Sequence, residues 1–287
     1  MNGMIPLDLR LLRGTLLAAL QEDVGPGDIT TRSTVPLDAL GMAKIVAKQP
    51  LIVAGIPVVA EIMHLVDPAL QFARPVVDGA AVETGTVLGE ITGRARSLLV
   101  AERTILNLLQ RMSGIATLTG RYVEQVQGTK ARIVDTRKTV PGLRVLDKYA
   151  VACGGGMNHR VGLFDGVLIK NNHLAFQSSP AHAIRAARRQ LGHLVKIEIE
   201  VHYLDELLDV IEAGADVVLL DNFTPELTRQ AVDIAGGRVP LESSGGITLE
   251  NVRAYADAGV DYISIGALTH SVPAVDIHMR IAPWTER

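Results

Sequence analysis

The feature that most constrains this chain's fold recurs through its second half: an aspartate, a run of apolar residues, then a residue suited to chemistry. Asp165 is followed five positions later by Lys170, Asp216 by Asp221, and Asp261 by Gly266. Between them lie Val167-Leu168-Ile169, Val217-Val218-Leu219-Leu220 and Tyr262-Ile263-Ser264-Ile265. Such unbroken apolar runs suit strands buried on both faces, as in parallel sheets covered by helices. Glu212-Ala213-Gly214 and Asp257-Ala258-Gly259 precede the last two copies, where glycine supplies the left-handed residue that closes a helix. Further apolar strands with polar ends are read at Ile133-Val134-Asp135, Ile197 to Val201 and Val239 to Ser243. Six strand-helix units are therefore expected, which fits a parallel (β/α) barrel or a large part of one. An open doubly wound sheet is the rival, but no G-x-G-x-x-G opens a helix after the first strand. In a barrel, Arg137, Lys170, Glu200, Asp221, Ser243 and Gly266 would converge at the C-terminal strand ends.

The first half has different periods. Leu7 to Gln21 reads as a short amphipathic helix, broken by Gly25-Pro26-Gly27-Asp28. Gly41 to Lys48 alternates Ala43, Ile45 and Ala47 with Lys44 and Lys48, the period of a half-exposed strand. Pro75 to Gly93 carries short apolar pieces between Asp78-Gly79, Thr84-Gly85 and Thr92-Gly93, and reads as an antiparallel meander. A helix begins near Ser97, with Ile105, Leu108, Leu109 and Met112 on one stripe. Ser113-Gly114 is the candidate boundary between two unequal domains, 1–113 and 114–270.

Composition narrows the function. Aromatic residues make up only 3%, so stacking surfaces for nucleic acid are scarce. The net charge of -3, without a long basic run, gives no general attraction for a polyanion or an acidic membrane. The longest uncharged apolar stretch, Gln49 to Ala60, is far shorter than the ~20 residues a spanning helix needs. Arg10 and Arg13 interrupt the N-terminal leucines, so no secretory core is read and a cytoplasmic protein is expected. The single cysteine, Cys153, excludes an internal disulfide and is assigned to packing.

Against that background the cations are local and concentrated. Arg137-Lys138 reads either as a solvated turn or as a clamp, because Arg matches a carboxylate bidentately and Lys supplies a movable charge. Asn158-His159-Arg160 follows Gly154-Gly155-Gly156, either a flexible connection or a close backbone approach to a ligand. Lys170 ends an apolar strand and needs a carboxylate partner, unless it forms a Schiff base. Glu200 and Asp221 suit Mg²⁺, and equally suit pairing with Lys138 and Lys170. The turns Glu242-Ser243-Ser244-Gly245-Gly246 and Ile265-Gly266-Ala267 offer backbone amides to phosphate. Together these groups point to phosphoryl-sugar chemistry. The eight histidines show no paired metal spacing and no C-x-x-C occurs, which disfavours zinc.

The stretches from Asp135-Thr136-Arg137-Lys138 to Arg144 and from Cys153 to Asn158-His159-Arg160 resemble the quinolinate phosphoribosyltransferase family. The likeness extends from Glu22-Asp23-Val24-Gly25 and Gly27-Asp28-Ile29-Thr30 through Ala101-Glu102-Arg103-Thr104 and Leu220-Asp221-Asn222 to Gly266-Ala267-Leu268-Thr269. It implies an N-terminal open-faced α/β sandwich, rejoined by 271–287, on an incomplete (β/α) barrel of parallel strands. It also implies transfer of phosphoribose from phosphoribosyl pyrophosphate to quinolinate with loss of CO₂, giving nicotinate mononucleotide, with Mg²⁺ held by Glu200 and Asp221. By the same resemblance Arg137, His159, Arg160 and Lys170 hold quinolinate, with Arg103 reaching in from the other subunit of a homodimer, and Thr136 and Ala267 are further substrate-binding residues. Lys138, Glu200, Asp221, Ser244, Gly245, Gly246, Gly266 and His270 serve phosphoribosyl pyrophosphate and its metal. Lys138, Lys170, Glu200 and Asp221 are the implied catalytic groups. Asn171 departs from the acid common at that position. The rivals are a molybdenum-locus relative of the family, a Schiff-base lyase on Lys170, and a non-catalytic quinolinate-binding protein.

Overall fold

The structure, a computed structural model, describes residues 7–285. Contacts divide the chain into two compact units: one gathers the chain up to Gly120, Val140–Gly155 and the chain from Ser271, and the other holds Arg121–Thr139 and Gly156–His270. Among the described residues no helix is long and apolar enough to cross a membrane.

In the first unit the strands are β1 (Leu40–Ala47), β2 (Leu51–Ile52), β3 (Gln71–Ala73), β4 (Ala81–Val82) and β5 (Val87–Arg94). An antiparallel sheet runs in the order C-terminal strand Ile277–Pro283, β1, β5, β3. The alternation expected from Gly41 to Lys48 is present: Ala43, Ile45 and Ala47 are fully buried, while Lys44 points outward to pair with Glu90 of β5 at 3.1 Å. The expected meander from Pro75 to Gly93 is not. Only β5 of that stretch enters this sheet, and β4 pairs with β2. The cause is Asp78, which reads as a simple turn residue but accepts from the amides of Gly55 and Ile56, each at 3.0 Å, and from Tyr149 Oη at 2.8 Å. Those bonds hold the segment as a loop over the start of the helix Ile56–Val66.

The first helix, Leu9–Val24, is capped by the Asp8 side chain and closed by Gly25 at φ 49°. The helix expected near Ser97 spans Ala95–Gln125 and runs straight through Ser113–Gly114. Within the helix these small residues are packing positions. A Cβ on Gly114 would stand 2.5 Å from the Pro273 carbonyl, and Ser113 Oγ accepts from the Ala54 amide at 3.1 Å. Arg111 on the same helix donates two bonds, 2.9 and 2.8 Å, to the wholly buried Asp147. Cys153 is buried and burial pushes its thiol up to about 12, which suits the packing role and not a nucleophile. The sheet and these helices form the expected open-faced α/β sandwich.

The second unit carries six parallel strands: β6 (Arg132–Val134), β7 (Val167–Ile169), β8 (Ile197–Val201), β9 (Val217–Asp221), β10 (Leu241–Ser244) and β11 (Tyr262–Ser264). Their order, β6-β11-β10-β9-β8-β7, follows the chain except that β6 lies beside β11, so the sheet curls and stays open between β6 and β7. This is the incomplete barrel. The recurring aspartate has a physical reason in two of its three copies. Asp216 accepts from the Ile197 amide at 2.7 Å and Asp261 from the Leu241 amide at 3.0 Å, so each ties the start of its strand to the preceding one. Asp165 instead closes a loop by accepting from Val161 and Gly162.

Candidate active site

A cavity of about 410 Å³ opens at the C-terminal ends of these strands. After β6 it is lined by Thr136, Arg137 and Lys138, and after β7 by Lys170. Asp221 and Asn222 come from the end of β9, and Ser244, Gly245 and Gly246 from the end of β10. His159 and Arg160 complete the wall from the segment that crosses the open side of the barrel, where Met157 bridges to Val134. Gly266 packs beside this wall, since a Cβ there would come within 3.0 Å of Lys138 Cδ and 3.1 Å of the His270 ring. Ala267 and His270 belong to the short helix that follows, and its Thr269 Oγ1 donates to the Lys138 carbonyl at 2.8 Å. Ser243, expected at a strand end, is buried one residue below the rim. Arg103 is exposed on the helix of the other unit.

The cations are held close to one another. Arg160 has its guanidinium pKa lowered first by burial and then by the charge of Arg137. Its Nη1 donates to the Gly166 carbonyl at 3.0 Å, and its Nε is buried without a hydrogen-bond partner among the described residues. Two like charges held together in a partly desolvated wall raise the affinity of that wall for an anion. Lys170 is already paired: its Nζ lies 2.6 Å from Glu200 Oε2, so the lysine and the acid, which the sequence left open as ligand groups or mutual partners, do meet.

Glu200 has only 5% of its side chain exposed, and its second oxygen faces a residue that sequence reasoning passed over. His202 Nε2 lies 3.4 Å from Glu200 Oε1 and its Nδ1 lies 3.6 Å from Asp221 Oδ2. Donor atoms of these three side chains all fall within 4.8 Å of one another, and Asn222 Nδ2 steadies Asp221 by donating at 2.8 Å. Two carboxylates and an imidazole in that span fit a divalent cation that keeps other positions for water or phosphate. His202 stands one residue past the strand Ile197–Val201 that carries Glu200, so no strand period in the sequence marks it as a site residue.

Part of the cavity wall, His159 and Glu242, forms a second group with Glu198, and the sequence reading missed these two acids. His159 Nε2 is 2.8 Å from Glu198 Oε2 and 3.8 Å from Glu242 Oε2, and both acids are buried. Burial and the neighbouring Glu198 push the Glu242 carboxyl up to about 8. The Ile197-Glu198-Ile199-Glu200-Val201 alternation already contained this, since an acid at every second position of a doubly buried strand must point into the barrel. Glu242 falls in the strand read from Val239 to Ser243 and also in the turn read with the glycines; it belongs to the strand Leu241–Ser244, and Gly245–Gly246 turn at φ 99° and 61°. A Cβ on Gly245 would overlap Asn222 Oδ1, so the close approach there needs glycine.

Known proteins resemble this chain over nearly its whole length. The N-terminal domain of quinolinate phosphoribosyl transferase matches residues 28–113, and the C-terminal domain of the same family matches residues 115–280. A probable nicotinate-nucleotide pyrophosphorylase [carboxylating] of Bacillus subtilis is 45% identical over 260 residues, covering 91% of this chain and 90% of that protein. The nicotinate-nucleotide pyrophosphorylase [carboxylating] of Mycobacterium leprae is 46% identical over 271 residues, covering 92% and 95%. Among solved structures, NadC from Streptococcus pyogenes superposes with a TM-score of 0.94 at 36% identity, over 98% of this chain and 100% of that one.

Proposed function

This chain belongs to the quinolinate phosphoribosyl transferase family, and from that premise we infer that its barrel cavity joins quinolinate to phosphoribosyl pyrophosphate, releasing pyrophosphate and CO₂ and leaving nicotinate mononucleotide. The observation that carries the assignment to this cavity is the Arg137–Arg160 pair, two cations held against their mutual repulsion beside Lys170. Quinolinate presents two adjacent carboxylates, and a pair of forked guanidinium groups matches them bidentately.

The pyridine nitrogen attacks the anomeric carbon of the ribose as the bond to pyrophosphate breaks. The ring nitrogen becomes cationic and then draws in the electron pair of the bond to the neighbouring carboxylate, which leaves as CO₂. The ring carbon takes a proton in its place. No strong protein base is required, so positioning and charge carry the catalysis. Arg137 and Arg160 orient the acid. Lys138 and the amides of Gly245 and Gly246 receive the phosphate groups, which the left-handed glycines approach without a side chain in the way. Glu200 and Asp221 would hold Mg²⁺, whose charge offsets that of the departing pyrophosphate. Their carboxylates also favour positive charge developing on the ribose. In the homodimer implied by the family, Arg103 of one subunit serves the cavity of the other.

The Lys170–Glu200 pair at 2.6 Å argues against the Schiff-base alternative, because it fixes the amine in a charge-assisted bond. The direct test supplies quinolinate labelled in the carboxylate beside the nitrogen. Equal yields of labelled CO₂, pyrophosphate and nicotinate mononucleotide are expected. Turnover of nicotinate as fast as quinolinate would refute the two-carboxylate clamp.

A further inference from the structure

His159 lines the cavity and is also set up to support Arg160 from behind. Its backbone amide donates to Asp135 Oδ1 at 2.8 Å, and the preceding Asn158 donates to the other oxygen of the same carboxylate at 2.7 Å, which fixes where the segment enters the barrel. The ring Nδ1 lies 2.8 Å from the backbone nitrogen of Arg160. A backbone amide can only donate, so Nδ1 must be the acceptor, and the ring proton therefore sits on Nε2. That N–H points at Glu198 Oε2, 2.8 Å away, while Glu242 Oε2 at 3.8 Å is beyond hydrogen-bond reach. Both ring nitrogens are thus committed within the barrel.

The same tautomer argues against a cation between these three side chains. With Nδ1 accepting, a metal on Nε2 would have to bind an imidazolate, which has lost its only proton. The ring also reaches the clamp directly, because its Nδ1 bonds the amide of the very residue whose guanidinium faces the cavity. Arg160 is consequently fixed at two points: its backbone by His159 and its head by the Gly166 carbonyl.

We propose that Glu198, acting through His159, is a positioning residue for Arg160, so that the affinity for the dicarboxylate depends on an acid the substrate does not touch. This rests on the functional reading above. Replacing Glu198 with leucine leaves the Nε2–H of His159 without an acceptor, frees the ring to turn, and releases the amide of Arg160. Replacing it with glutamine keeps a carbonyl acceptor at the same position.

Steady-state kinetics on the full enzyme test the difference. Glu198→Leu should raise the KM for quinolinate about tenfold or more, with kcat and the KM for phosphoribosyl pyrophosphate changed by less than about threefold. Glu198→Gln should restore the quinolinate KM to within about threefold of the parent. An unchanged quinolinate KM in Glu198→Leu, or a glutamine variant as impaired as the leucine one, overturns the proposal. Nitrogen-15 NMR of the histidine rings in the unmutated enzyme gives a second readout that does not depend on a variant folding. Protonation of His159 at Nε2 with a bare Nδ1 is expected, and a proton on Nδ1 overturns the relay. If the parent enzyme does not use quinolinate at all, the functional reading fails. If it does and Glu198→Leu matches it, only this inference fails.

Discussion

Replacing Arg160 with alanine separates a residue kept for binding from one kept for the fold. Its guanidinium is partly desolvated and lies near Arg137, both of which lower its pKa and work against the charged form, while the carboxylates of Glu198 and Asp165 offset part of this. Its one internal side-chain bond among the described residues, from Nη1 to the Gly166 carbonyl, is worth about 1 kcal/mol. Removing the side chain gives up that bond and relieves the repulsion, so unfolding stability should change by no more than about 1 kcal/mol in either direction. Binding should respond very differently. A charge-assisted bond to a carboxylate contributes about 1.5–3 kcal/mol, and Arg137 and Lys170 remain to hold part of the ligand. Taking about 2 kcal/mol as the loss, quinolinate affinity should fall roughly 30-fold. Urea unfolding and isothermal calorimetry measure the two quantities on the same preparation. Arg160→Lys should recover only part of the affinity, because an ammonium cannot replace the planar fork. A variant that lost more than about 2 kcal/mol of stability while binding quinolinate normally would refute the reasoning and make Arg160 a structural cation.

Three further outcomes follow from other parts of the structure. Gly245→Ala should weaken phosphoribosyl pyrophosphate binding and leave quinolinate binding near that of the parent, because φ 99° and the clash with Asn222 disturb the phosphate turn alone; calorimetry with each substrate checks this. Glu242 has a folded-state pKa raised from 4.5 to about 8, so the folded protein keeps a proton that the unfolded chain releases. The stability this gives is complete below the unfolded value and is lost as pH rises through the folded one, by up to about 1.4 kcal/mol per pH unit. Glu242→Gln should flatten that part of the urea-derived stability profile, and an identical slope in both proteins would remove Glu242 as its source. Inactive Arg103→Ala and Lys170→Ala proteins, mixed with demonstrated subunit exchange, should regain activity, since a heterodimer then contains one intact shared site; no recovery would place Arg103 in its own chain's site or in the fold.

What the sequence made legible, and what it hid, follows from the range over which each signal acts. The six parallel strands could be read because each is a local run of Val, Ile and Leu, and because the Asp216 and Asp261 ties repeat at strand starts. The residues at the strand ends could be read for the same reason, once a barrel sends every strand end to one rim. The Pro75–Gly93 loop was misread because Asp78 takes its partners from Gly55, Ile56 and Tyr149, all distant in the chain. Ser113–Gly114, read as the boundary between domains, lies inside the helix Ala95–Gln125, where the small residues serve close packing against the Pro273 carbonyl. The buried acids escaped for a different reason. Glu198 and Glu242 sit inside strands judged by their apolar content, and an acid there reads as an interruption unless its two-residue period is followed into the barrel. Desolvation makes an acid expensive in that place, so two of them beside His159 need a compensating use. The tautomer that Arg160's amide imposes on His159 supplies one: a buried carboxylate accepts the ring proton, and the arginine it steadies faces the cavity.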